Sequence, residues 1–158
     1  MRTPTAAGMG AGGPQDPGSI AALQSLAGLI SQFRRTCDGE RIAVTVTEAA
    51  VSPAVEARLV ELTTPGGGNC FGQPGQNTYL VAKIGQGWRQ LLSAEPGSIA
   101  VLGMGHDGRA DLELNSLGTC TYTYRWTGSR YAQAGSRDCA TAAPPTMRTL
   151  PRAIRGRS

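Results

Sequence analysis

Between Cys120 and Trp126 the chain alternates strictly: Cys120, Tyr122, Tyr124 and Trp126 fall on one side, Thr121, Thr123 and Arg125 on the other. A period of two fits an extended strand with one buried face and excludes a helix over those residues. Similar short runs recur through the chain, separated by glycine and proline. The expected strands are Arg41–Thr47, Glu56–Thr63, Thr78–Ile84, Trp88–Leu92, Ser98–Leu102, Ala110–Asn115, Cys120–Trp126 and Arg130–Ala134. With 22 Gly and 10 Pro among 158 residues, breaks come too often for a helical bundle. One segment differs. Ile20, Leu23, Leu26, Ala27, Ile30 and Phe33 recur every three or four residues, predicting a single amphipathic helix over about 20–35, capped by Ser19. Arg34 and Arg35 suit its last turn. The expected fold is therefore α+β: mainly an antiparallel sheet of six to eight strands, with one N-terminal helix packed on it.

The domain is expected over 19–139, with a flexible 1–18 segment before it and a basic tail, 140–158, after it. The formal charge is +4 and the pI about 9.2. The excess does not mark a nucleic-acid face, because the body carries more acids than bases. The tail holds Arg148, Arg152, Arg155 and Arg157 without one acid. No specific nucleic-acid partner is expected. No apolar run reaches the length of a membrane span. Residues 1–19 are small and Gly/Pro-rich and do not read as a signal peptide, so an exported form is expected to have lost its leader.

Cys37, Cys70, Cys120 and Cys139 include no C-x-x-C pair, and His106 is the single histidine, which disfavours a zinc site. Two disulfides are expected, placing the protein in an oxidising compartment, periplasmic or extracellular. Cys120 and Cys139 lie at the open end of one expected hairpin, which leaves Cys37 for Cys70. A turn at Thr127-Gly128-Ser129 would pair Trp126 with Arg130 and Cys120 with Ser136, leaving Cys139 three residues past register.

A weak repeat runs through the chain: strand, cysteine, strand, glycine turn, aromatic strand. Copy one is Ala57–Leu62, Cys70, Tyr79–Ile84, Gly85-Gln86-Gly87, Trp88; copy two is Ala110–Leu114, Cys120, Tyr122–Trp126, Thr127-Gly128-Ser129, Tyr131. It predicts a duplicated antiparallel sheet.

Gly103-Met104-Gly105-His106-Asp107-Gly108-Arg109-Ala110-Asp111-Leu112 contains Asp-Gly-x-x-Asp-Leu. With Trp88-Arg89 and Tyr124-Arg125-Trp126-Thr127-Gly128-Ser129-Arg130-Tyr131, it resembles the FG-GAP and VCBS-type β repeats and small exported bacterial β domains whose calcium loop has decayed. The resemblance covers about residues 55–135. In that family Asp107 and Asp111 would be calcium donors, but Gly103 and Gly105 stand where two further oxygen ligands belong. No metal is expected. Gly105 and Gly108 are expected to supply positive φ, Asp107 and Asp111 to cap the turn, and Asp111 with Glu113 to face solvent.

Gly66-Gly67-Gly68 lacks the G-K-[ST] of a phosphate loop, so no cofactor is expected. No G-x-S-x-G elbow accompanies His106. The candidate binding residues are Trp88, His106, Asp107, Tyr122, Tyr124, Arg125, Trp126 and Arg130: aromatics and arginines of the kind that dominate interfaces. The face of Tyr122, Tyr124 and Trp126 is expected first of all to be the sheet's core, since only two Phe are available. Glycine-rich loops at 63–77 and 103–109 suit recognition. The leading expectation is a non-catalytic protein-binding module of the bacterial envelope or exterior, of the inhibitor, immunity or adhesion type. The alternatives are a cell-wall hydrolase using His106 and Asp107, and a structural subunit of a larger assembly.

Overall fold

The computed structural model describes residues 16–37, 41–66, 70–71, 75–116 and 120–139. Of the segments expected to be flexible, 140–158 and residues 1–15 of 1–18 lie outside them; residues 16–18 are instead the cap and start of a helix. Two helices, α1 (Pro17–Ser25) and α2 (Ala27–Thr36), precede eight strands. These are β1 (Ala43–Glu48), β2 (Ala57–Thr63), β3 (Gln76–Ile84), β4 (Gly87–Ala94), β5 (Ser98–His106), β6 (Arg109–Asn115), β7 (Thr121–Trp126) and β8 (Tyr131–Arg137). The strands form two antiparallel four-stranded meanders, β1-β2-β3-β4 and β5-β6-β7-β8. The sequence repeat corresponds to these two sheets, with β2, β3 and β4 matched by β6, β7 and β8.

The chemistry of the strand faces sets the layer order. The first sheet is apolar on both sides. Val44, Val46, Val60, Leu62, Tyr79 and Val81 form one cluster with Ala22, Leu26 and Ile30 of the helices. Ala57, Leu80 and Ala82 point the other way, onto Ile99, Leu112, Leu114, Trp126 and Tyr131 of the second sheet. β3 therefore buries both faces, and Tyr79, Leu80, Val81 and Ala82 are fully buried. The second sheet has one apolar side only. Its other face carries Glu113, Thr123 and Arg125, and among the described residues no helix or strand packs on it. The result is helices, first sheet, second sheet, in that order. Among the described residues no helix is long and apolar enough to cross a membrane.

The expected single helix is broken at Leu26, whose φ of −107° and ψ of 9° leave the helical region. Its N–H donates to the Leu23 carbonyl, and the Ser25 hydroxyl donates to the Ala22 carbonyl at 2.6 Å. A serine bonding back to its own helix competes with the main-chain ladder. The bend leaves Leu26 and Ile30 buried and Ile20 41% exposed, so Ile20 is not part of the buried stripe. The cap is Asp16, not Ser19. The Asp16 carboxylate accepts from the Ser19 N–H at 2.7 Å, with Pro17 opening the helix. The same carboxylate pairs at 3.1 Å with Arg58, a buried arginine on β2 that also meets Glu56 at 3.3 Å and the Ser19 hydroxyl at 3.3 Å.

Both expected disulfides are present, Cys37–Cys70 and Cys120–Cys139. Cys37 follows α2, and Phe33 packs edge-on against Phe71 at 4.9 Å beside this staple. At the other staple the register differs from expectation. Trp126 pairs with Tyr131, not Arg130, and a bulge lets Thr123 face Gly135 while Tyr124 faces Gln133. Tyr122 then pairs with Ser136 and Thr121 with Arg137, so continuing the ladder would set Cys120 opposite Asp138. Cys139 is one residue past register rather than three, and Asp138 turns the chain with a φ of 53°.

Candidate functional site

The expected glycine-rich loop at 103–109 is instead a hairpin. β5 continues through Gly105 to His106, which pairs with Arg109. Only Asp107 and Gly108 form the turn, with φ of 52° and 80°. Two positive φ angles in a two-residue connection make the type I′ turn, for which Asp-Gly is a preferred sequence. Gly105 is not a positive-φ residue. Its register is irregular, and a Cβ there would stand 2.3 Å from the Arg109 carbonyl oxygen, so close backbone approach demands the glycine. Of the other expected loop, 63–77, the described residues are 63–66, 70–71 and 75–77; Thr63 ends β2 and Gln76 starts β3.

Asp111 does not face solvent but is 4% exposed. Its Oδ1 lies 2.8 Å from His106 Nδ1, and its Oδ2 lies 3.7 Å from Arg125 Nε on β7. Among the described residues its carboxylate meets these side chains rather than the turn N–H groups it was expected to cap. His106 and Arg125 are about half exposed, so the carboxylate sits beneath two groups that reach into water. Further along this face Arg137 reaches Glu113 at 2.7 Å. Among the described residues no three His, Cys, Asp or Glu side chains gather as metal ligands would.

Around the edge of the hairpin stands Arg109. Its guanidinium carbon lies 4.1 Å from the centre of the Trp126 ring, a cation–π stack. Trp126 meets Tyr131 edge-on at 5.2 Å, and the Tyr131 hydroxyl donates to the Ala110 carbonyl at 2.7 Å. Burial pushes the Tyr131 phenol up to about 12, with Arg109 opposing and Asp111 adding to the rise. The Ala110 N–H donates to the Val51 carbonyl at 2.7 Å, tying the β1–β2 connection to this hairpin. Between the two runs an open, mainly apolar groove of about 770 Å³, lined by Val51, Pro53, Val101, Leu102, Gly103 and Arg109.

Five of the eight predicted residues gather here. His106, Asp107, Arg125, Trp126 and Arg130 belong to the two hairpin ends that the meander places at the same edge of the second sheet. Tyr122 and Tyr124 share the Trp126 face and pack against the core between the sheets. Trp88 lies apart, on β4 of the first sheet, against the helix-side cluster. Three residues of this end stand outside the sequence-based expectations: Arg109, Tyr131, which marks only the repeat there, and Asp111, which was expected to face solvent. The Asp-Gly turn and the period of Ala110–Asn115 could have placed Asp111 on the His106 side. Nothing local distinguishes Arg109 from the other arginines. No protein-family model, curated protein or solved structure matches the chain.

Proposed function

We propose that the protein is a non-catalytic protein-binding module of the bacterial envelope or exterior, of the inhibitor, immunity or adhesion type, and that it recognises its partner with the hairpin end of the second sheet. The observation that carries this reading is the juxtaposition, at one edge, of half-exposed His106 and Arg125, the Arg109–Trp126 stack and an apolar groove. Arginine and tryptophan on a rigid scaffold supply binding energy at small entropic cost. Two disulfides support residence in an oxidising compartment, the periplasm or the exterior. The test is capture from an envelope extract with the oxidised protein. A partner held by the wild type and by an Arg34→Glu/Arg35→Glu control, but lost by Arg125→Glu/Arg130→Glu, supports the reading. Identical capture by all three proteins refutes it.

The 2.8 Å contact between His106 and Asp111 favours a second reading, a cell-wall hydrolase. A buried carboxylate orienting an exposed imidazole is a general-base arrangement. The partner is Asp111 rather than the expected Asp107. Release of soluble fragments from purified cell wall, abolished by His106→Ala, would establish it.

A further inference from the structure

We propose that the groove beside the second sheet takes an extended partner segment carrying a carboxylate next to an apolar side chain, with Arg109 as the carboxylate's anchor. This deepens the binding role proposed above and rests on it. Arg109 is the basic residue of the described structure that is both partly buried and without an ion pair or hydrogen bond. Its Nη1 is the one buried side-chain polar atom among the described residues that lacks a partner. A guanidinium carries five N–H donors, and leaving one closed off from water without an acceptor is costly. The cation is not mobile surface charge: the indole of Trp126 holds its plane. A planar guanidinium without an acidic partner matches a carboxylate in two-pronged fashion, and the partner reaches Nη1 by displacing the neighbours that now cover it.

The remaining lining explains the apolar half of the ligand. Val51, Pro53, Val101 and Leu102 offer hydrocarbon, while Gly103 leaves the wall without a side chain, so a backbone can come close. The chain's own residues outside the described ones are poor occupants. They contain five arginines and only two acids, Asp38 and Glu40, which lie between Cys37 and Arg41.

The test uses the full oxidised chain, labelled with ¹⁵N at pH 7, titrated with N-acetyl-Leu-Glu-Leu-amide and with N-acetyl-Leu-Gln-Leu-amide. The expected result is saturable shifts of the Val51, Val101 and Arg109 amides with the glutamate peptide. Binding at least tenfold weaker is expected for the glutamine peptide and for Arg109→Met, which keeps the aliphatic stem over Trp126. Equal binding of both peptides at these amides, or unchanged binding by Arg109→Met, overturns the carboxylate anchor while leaving recognition at this edge standing. Shifts at neither this edge nor the groove overturn the inference and count against the edge as the recognition surface. Retention of the hairpin amide pattern in Arg109→Met separates loss of the anchor from loss of the fold.

Discussion

Arg58 is the side chain whose removal tests the attachment of the helical layer most directly. It is 7% exposed and joins β2 to the start of α1 through Asp16 and Ser19, while also holding Glu56 and donating to the Ala57 carbonyl at 2.9 Å. Asp16 and Glu56 remain a third to nearly half exposed, so each ion pair is worth well under its buried value, about 0.5–1 kcal/mol. The bonds to Ser19 and to the Ala57 carbonyl add about 1 kcal/mol each, and the buried stem adds packing. Arg58→Ala is therefore expected to cost about 3 kcal/mol, roughly 10 °C in Tm for a domain of this size. Arg58→Lys should recover less than half, because an ammonium cannot serve the separate acceptors of a fork. The acid side gives a second reading of the same contact. The Ser19 N–H, and after it Arg58, hold the Asp16 carboxyl below its ordinary 3.8. Its stabilising contribution is thus present above about pH 4 and is lost as pH falls through the lowered value. Arg58→Ala should flatten that acid dependence. Urea denaturation with disulfides intact, followed by circular dichroism from pH 2 to 7, measures both. A loss below 1 kcal/mol at pH 7, or strict additivity of Arg58→Ala with Asp16→Asn, would refute the assignment of Arg58 as the tie between helix and sheet.

Oxidised protein should show no free thiol under denaturing conditions among its four cysteines. Replacing Cys120 and Cys139 together by serine should cost about 3 kcal/mol, and Cys37 with Cys70 about 4 kcal/mol, following separations of 19 and 33 residues; the opposite order by equilibrium denaturation would contradict loop closure as the cause. Gly105→Ala should destabilise the protein by about 2 kcal/mol and disturb the β5–β6 amides, whereas Gly103→Ala, with open space around its Cβ, should change stability by less than about 0.5 kcal/mol. Tyr131→Phe should abolish a phenol ionisation near pH 12 in the ultraviolet titration. Because that phenol is raised in the folded state, the wild type should lose stability from about pH 10 to pH 12, and the variant should lose less.

Alternation and turn chemistry are properties of neighbouring residues, and the elements that depend on them were legible. The eight strands, the disulfide partners and the repeat follow from period-two runs, from cysteine position and from Gly-rich turns. Asp107-Gly108 was legible as a turn, but the glycines at 103 and 105 masked the strand leading into it. One of them, Gly105, is there for a close backbone approach, which looks identical in sequence to a flexible loop residue. The one-residue bulge opposite Thr123/Tyr124 was similarly invisible, and together with the turn that pairs Trp126 with Tyr131 it moved Cys139 toward its partner's register.

What the amino-acid order determined by itself is which residues pleat, which bend and which sulfurs can meet, because pleats and bends are decided within one strand or hairpin, and pairing Cys120 with Cys139 at one hairpin leaves Cys37 for Cys70. Only the tertiary structure decided that β3 would be covered on both faces and that the second sheet would keep one face open, because a face's fate depends on what distant segment lies against it. The same holds for the charges. Arg58 and Arg109 are chemically alike, yet one is surrounded by oxygens and the other stacked on an indole without an acceptor. That difference arises from packing between segments on different elements of the chain, and no local pattern records it.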